Sequence, residues 1–294
     1  MTCQDLMWPQ HLDCTATRHG IEIRKVDAMT TITFLGTGGG RFATIYQPRN
    51  TGGIYIDNGW KLHLDPGPGA LVNMNRLSID PGKTDAVLIS HCHPDHYTDA
   101  EVLIEGMARG GFRKRGILIG SKSVLEGAGN FGPAISAYHL GLPEKVVTVA
   151  RGSLVFVNDL AIEATPTKHS DPTGVGFKFR TSEGVLSYVS DSEMSTEVTE
   201  AHKGSRILII CLTRPIGSRI PYHVCTEDAA VLVEQTAPEI AILTHFGMKL
   251  LHEGAEKQSS YIEKKSGIRT VAATDLMKVQ VGRTIRVRRH KDRN

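Results

Sequence analysis

The stretch Ser90-His91-Cys92-His93-Pro94-Asp95-His96 constrains this chain more than any other. Three imidazoles and a carboxylate fall between His91 and His96, directly after the apolar run Ala86-Val87-Leu88-Ile89. That run reads as a buried strand. Alternate residues of an extended backbone point to the same side, so His91 and His93 can grip one metal together. Pro94 then turns the chain, which aims Asp95 and His96 at a second metal close to the first. Two-metal hydrolytic sites need this division of labour. Downstream, Thr98-Asp99-Ala100-Glu101 has the form of a capping box with Thr98 as N-cap. Ala100, Leu103, Ile104 and Met107 follow at helical spacing up to Gly110-Gly111. The sequence therefore predicts a strand, a ligand loop and a helix in succession.

A two-metal site needs further ligands, and strand ends should supply them. The run Val185–Ser190 leads straight into Asp191, and Glu239–Thr244 leads straight into His245. Leu160–Thr165 is followed, after Pro166-Thr167-Lys168, by His169. Asp191 suits a bridging position because its two oxygens can each meet one cation.

These residues together resemble the metallo-β-lactamase superfamily. The likeness covers roughly residues 31 to 282. It rests on an H-x-H-x-D-H motif (His91, His93, Asp95, His96) and on the ordered His169, Asp191 and His245. Ile32–Gly39 is similar to the family's first strand and turn, and Lys61–Gly67 to the strand and Asp-x-Gly turn before the motif. The resemblance implies an α/β fold, a four-layer αβ/βα sandwich with metals at one rim. It implies one metal on His91, His93 and His169, a second on Asp95, His96 and His245, and Asp191 between them. It also implies hydroxide held by the metals as the nucleophile. Two zinc ions are the expected cofactors; the mixed nitrogen and oxygen donors also accept manganese or iron.

The segment Tyr222–Ala230 separates the branches of the superfamily. Thr226 reads as an N-cap, with Glu227 and Asp228 in the first helical turn and Pro238 past its end. His223 thus stands just before a helix. This arrangement, followed by Leu243-Thr244-His245-Phe246-Gly247, resembles the ribonuclease Z and phosphodiesterase branch. There the matching histidine protonates the leaving oxygen or stabilises the phosphorane, a task that suits an imidazole. Asp95 and His223 are accordingly the candidate catalytic residues. The tRNA-gripping arm of ribonuclease Z lies between the histidine and aspartate ligands. Here His169 and Asp191 are 22 residues apart, and the interval reads as a hairpin around Ser182-Glu183-Gly184. The diiron oxygen reductases of the superfamily carry Glu where this chain has His93.

The favoured expectation is a phosphodiesterase using metal-bound hydroxide on a small-molecule or nucleic-acid phosphodiester. The rivals are a tRNA 3′-processing-like RNA endonuclease and a carboxyl hydrolase of the β-lactamase, lactonase or thioesterase type. Gly36–Gly40 reads as a tight turn near the metals, and it lacks the spacing of a nucleotide-binding loop. Arg113-Lys114-Arg115 could meet a phosphate backbone, and Tyr138 or His139 could contact substrate; solvated or anchoring roles are the commoner fate of each. Asp275 reads as a turn residue.

The ligands span residues 91 to 245, so residues 29–282 form one catalytic domain. Residues 1–28 read as an extension of uncertain order, and residues 283–294 as a basic, frayed tail. A net charge of +3 over 294 residues does not mark a dedicated nucleic-acid binder. Five cysteines without a C-x-x-C pair fit a reducing, cytoplasmic setting. Cys92 alternates away from its ligand neighbours and reads as a packing residue. No apolar run reaches membrane-spanning length. Dimerisation is common in the resembling branch, so a homodimer is one possible assembly, although the sequence marks no interface for it.

Overall fold

The structure is a computed structural model and describes residues 29–290. The reading of residues 1–28 as an extension lies outside the described residues. The chain lays down β1 (Thr30–Phe34), β2 (Ile54–Asp57), β3 (Lys61–Leu64), β4 (Ala86–Ile89), β5 (Ile117–Ser121) and β6 (Lys145–Val149) in one sheet. It then builds a second sheet from β7 (Leu154–Val157), β8 (Leu160–Pro166), β9 (Val175–Thr181), β10 (Gly184–Val189), β11 (Ile207–Cys211), β12 (Ile240–Thr244) and β13 (Thr270–Ala272). Finally β14 (Lys278–Val281) and β15 (Ile285–Arg288) return to the first sheet, where β14 pairs antiparallel with β1.

Three apolar layers make this a four-layer αβ/βα sandwich, as expected. The central layer joins both sheets: Phe34, Ile56, Leu62 and Leu88 from the first meet Phe177, Phe179, Ile209 and Ile242 from the second. A second layer sits between β4–β5 and the helix Ala100–Met107, which buries Leu103, Ile104 and Met107. The third lies between β10–β12 and the helices Thr226–Thr236 and Ala255–Ser266. Sheets covered on both faces need strands apolar on both faces. The fully buried β4, β11 and β12 satisfy this. Most side chains of these strands lose all contact with water, each worth about 1.5–3 kcal/mol.

Four local expectations are corrected. The capping box at Thr98 does not form: Asp99 is the N-cap of Ala100–Met107, and no side chain caps it. Thr98 Oγ1 instead donates to Pro94 O, and Glu101 Oε1 accepts from Ser136 N at 2.7 Å. Cys225, not Thr226, caps the later helix; Thr226 Oγ1 is drawn inward to Gln258 Oε1 at 2.9 Å. The tail is not frayed throughout, because Ile285–Arg288 pair in register with Lys278–Val281 as an edge strand. Asp275 does more than turn the chain: its carboxylate accepts from Thr37 N and Oγ1 at 2.9 and 2.6 Å and from Asn50 N at 2.8 Å.

Candidate metal centre

The candidate ligands follow strands of both sheets. His91 follows β4, His169 follows β8, Asp191 follows β10 and His245 follows β12. Asp95 and His96 lie on the one-turn helix Pro94–Tyr97, which Pro94 starts. The structure brings all seven candidate ligands and His223 into one cluster.

On one side of it, His93 Nδ1 stands 2.9 Å from His91 Nε2 and 3.1 Å from His169 Nε2. On the other, His245 Nε2 stands 3.1 Å from both His96 Nε2 and Asp95 Oδ2. Asp191 lies between the two groups. Its Oδ1 is 3.2 Å from His245 Nδ1, and its Oδ2 is 3.9 Å from His96 Nε2 and 3.6 Å from His223 Nε2. Asp191 is buried, and its Oδ1 has no hydrogen-bond partner among the described residues.

The outer nitrogens are held from behind. His169 Nδ1 donates to the Tyr222 carbonyl at 2.9 Å, and His91 Nδ1 lies 3.0 Å from Ser90 Oγ. His96 Nδ1 meets Asp65 Oδ2 at 2.9 Å. Such ties fix the tautomer and aim the free nitrogen inward. Neutral imidazole nitrogens that face each other lone pair to lone pair repel unless a proton or a cation lies between them. Nitrogens sharing one zinc at about 2.0–2.1 Å are drawn to this order of separation. The facing nitrogens and the orphaned carboxylate oxygen together fit a pair of divalent ions.

The two sides of the cluster differ in their electrostatics. Burial pushes the His91 and His93 imidazoles down, and His169 down to about 4, so these present neutral rings. Burial also presses His96 down, but Asp95, Asp65 and Asp191 outweigh it and raise the group to about 10. Asp95 and Asp191 are buried, which would raise them. The surrounding imidazoles, His96 and His245 above all, hold both below the usual carboxylate range. The cluster thus gathers negative charge that a cation would balance. Cys211 also comes near Asp191 and His245. Burial pushes its thiol well up and its Sγ donates to the Tyr188 hydroxyl at 3.2 Å, so it is a protonated and poor ligand.

Two further carboxylates support the cluster: Asp65, which the sequence places in the Asp-x-Gly turn without a contact of its own, and Asp171, which the sequence does not mark. Asp65 accepts from Ser90 N, Ser90 Oγ and Tyr188 Oη at 2.7, 2.7 and 2.8 Å, besides facing His96. Asp171 accepts from Cys92 N at 2.9 Å and from Ser123 Oγ, and so fixes the loop between His91 and His93. The available signal was Asp65 at a strand end before a glycine; nothing local pointed to Asp171. Cys92 itself packs in the core beside the first sheet.

The glycine turn is a tight turn against the cluster. Gly40 N donates to Asp95 Oδ2 at 2.7 Å, so that N–H is not free for a substrate. A Cβ at Gly39 would come within 2.2 Å of the His245 ring. His245 has φ 61°, a left-handed value uncommon outside glycine, and such backbone gathers at functional sites. The other candidates stand apart from the cluster. His139 lies between Glu101 and Glu105, at 3.1 Å from each. Arg115 pairs with Asp85 and bonds the Gly82 and Thr84 carbonyls. The cluster opens into a cavity of about 880 Å³, whose wall includes His93, Asp95, Asp191 and His223.

A two-sheet sandwich with an imidazole and carboxylate cluster at its rim defines a metal-dependent hydrolase class. Residues 61–246 match the family described as the beta-lactamase superfamily domain, and the chain belongs to this metallo-β-lactamase superfamily. The chain is similar to an uncharacterized protein of Methanocaldococcus jannaschii, 42% identical over 253 residues that cover 85% of this chain and 94% of the relative. It is 35% identical over 80 residues to a ribonuclease Z of Thermococcus kodakarensis, 27% of this chain and 24% of that protein. Among solved structures it resembles the metallo-β-lactamase fold protein YhfI from Bacillus subtilis, with TM-score 0.71 and 18% identity over 86% of this chain and 99% of that one. A diphosphatase from the PhnP family gives TM-score 0.63 and 18% identity, over 86% and 97%. No helix of the described residues is long and apolar enough to cross a membrane.

Proposed function

We propose that this protein is a phosphodiesterase working with two divalent ions, zinc in the first instance. His91, His93 and His169 would hold one ion, Asp95, His96 and His245 the other, and Asp191 would lie between them. When bound, such ions supply Lewis acidity toward water and toward phosphoryl oxygens.

The placement of His223 carries the reading. Its Nδ1 lies 3.0 Å from the Pro221 carbonyl, which turns Nε2 toward Asp191 at 3.6 Å. Its ring stands edge-on to His169, with centroids 5.1 Å apart, and it remains 21% exposed at the cavity wall. An imidazole there can donate a proton to a leaving alkoxide as its bond to phosphorus breaks. Asp95, fixed by Gly40 N–H and His245, would hold the second ion through its carboxylate. The relatives named as a diphosphatase and a ribonuclease Z support chemistry at phosphorus. That last name also supports RNA cleavage as a second reading, in which tRNA binding weakens steeply with salt. The free, buried Cys92, Cys211 and Cys225 support a reducing, cytoplasmic setting.

The test is hydrolysis of bis(p-nitrophenyl) phosphate beside a chromogenic cephalosporin, with zinc- and manganese-loaded protein. Phosphodiester turnover that disappears in Asp191→Ala is the expected result. Cephalosporin turnover alone would overturn the proposal in favour of a carboxyl hydrolase.

A further inference from the structure

The reactive cluster forms only one wall of the 880 Å³ cavity. The rest of its lining includes Arg41, Arg214 and Lys249 and the apolar Phe42 and Ile45. The carboxylates of the lining are Asp95 and Asp191, and both are turned to the imidazoles. The three cations are therefore left without a counter-charge in the lining. Arg214 Nε donates to the Ser218 carbonyl at 2.9 Å, and Lys249 Nζ donates to Ser218 Oγ at 2.6 Å, with Glu253 only at 4.0 Å. Elsewhere, Arg115 and Arg219 each meet an aspartate at 2.6 Å.

Two divalent ions would already exceed the charge of Asp95 and Asp191, and a single phosphodiester carries one negative charge. Cations that gather around such a site repel it and one another unless the ligand brings a further anion. The apolar part of the wall is likewise uncovered. Phe42 and Ile45 are 61% and 62% exposed, and they sit three residues apart on the helix Gly40–Tyr46, so they share a face. The cavity volume falls in the range of small-ligand sites, about 300–1,000 Å³.

Resting on the phosphodiesterase reading, we infer that the substrate is a small nucleotide-type phosphodiester with a second phosphate. Arg41, Arg214 and Lys249 take that second phosphate, and Phe42 and Ile45 cover the ring. The metal cluster fixes the bond that breaks; these side chains choose the molecule.

The experiment measures calorimetric binding to the metal-loaded protein of thymidine 3′,5′-bisphosphate and of thymidine 5′-monophosphate. The bisphosphate is expected to bind about 10-fold more tightly or better, as charge-assisted contacts at a partly desolvated site allow. In the folded double variant Arg41→Ala/Lys249→Ala this advantage falls below about 3-fold. Phe42→Ala weakens both nucleotides alike, and unchanged affinity there would remove the ring from the assignment. Equal affinity in the native protein, or an advantage that survives the double substitution, overturns the second-phosphate site. Turnover of bis(p-nitrophenyl) phosphate by the same preparation separates the two failures. Turnover without a bisphosphate advantage sinks this inference alone, and its absence sinks the phosphodiesterase reading beneath it.

Discussion

The Asp65 carboxylate holds His96 from behind, with Oδ2 2.9 Å from Nδ1, although Asp65 itself points at no candidate metal position. Its φ of 52° lies in the left-handed region, which asparagine tolerates. Asp65→Asn therefore keeps the backbone and removes the charge that orients His96. Affinity for one of two metal ions is expected to fall about 10–100-fold, as for other outer-sphere partners of histidine ligands. Metal content after dialysis against graded chelator reads the effect; unchanged retention of both ions would contradict it.

His223 lies near enough to His169 and Asp191 to be counted among metal donors as well as proton donors. The two roles part on substitution. As a proton donor, His223→Ala keeps both metals and loses about 10²-fold or more in kcat. Loss of a metal together with activity would make His223 a ligand instead. Elemental analysis and steady-state kinetics on one preparation decide between them.

Gly39 has φ −166°, an extended value open to any residue, so its constraint is steric alone. In Gly39→Ala the new methyl would press on the His245 ring, which approaches within 2.2 Å of the Cβ position. Displacement of His245 should cost about 10²-fold in activity, since a shift near 1 Å at a reacting centre has that scale. Kinetics beside a thermal melt check it: a normal Tm with normal activity would show that the turn gives way.

Two histidines away from the ligand set record the cost of charging a buried ring. Burial pushes His63 down to about 4 and His202 down to about 3, with Lys178 adding to the effect on His202. Neither His202 nitrogen has a hydrogen-bond partner among the described residues. Below pH about 6.5 the unfolded chain takes up these protons before the folded one does. Stability is therefore full above that pH and falls as the pH drops toward the folded values, by about 2 kcal/mol per histidine at pH 5. The Tm difference between pH 7.5 and 5.0 should shrink in His202→Leu; an equal difference would mean that the ring is solvated.

The candidate ligands, which the structure gathers into one cluster, could be picked out along the chain because metal-binding residue types at strand ends are a local pattern. His91, His93, Asp95 and His96 declare themselves within six residues, and His169, Asp191 and His245 each follow an apolar run. The sandwich was legible for the same reason, since strands apolar on both faces demand cover on both sides. What sequence could not decide is which polar partner a side chain chooses. Glu101 had the spacing to cap its own helix and bonds Ser136 N instead. Asp275 looked like a turn residue and ties Thr37, 238 positions away. Asp65, Asp171 and the cations of the cavity wall gained their places only when the two sheets closed. Ligand chemistry is carried by the residue and its neighbours along the chain. Hydrogen-bond partners and cavity walls are set by proximity in space, and that exists only once the apolar layers have packed.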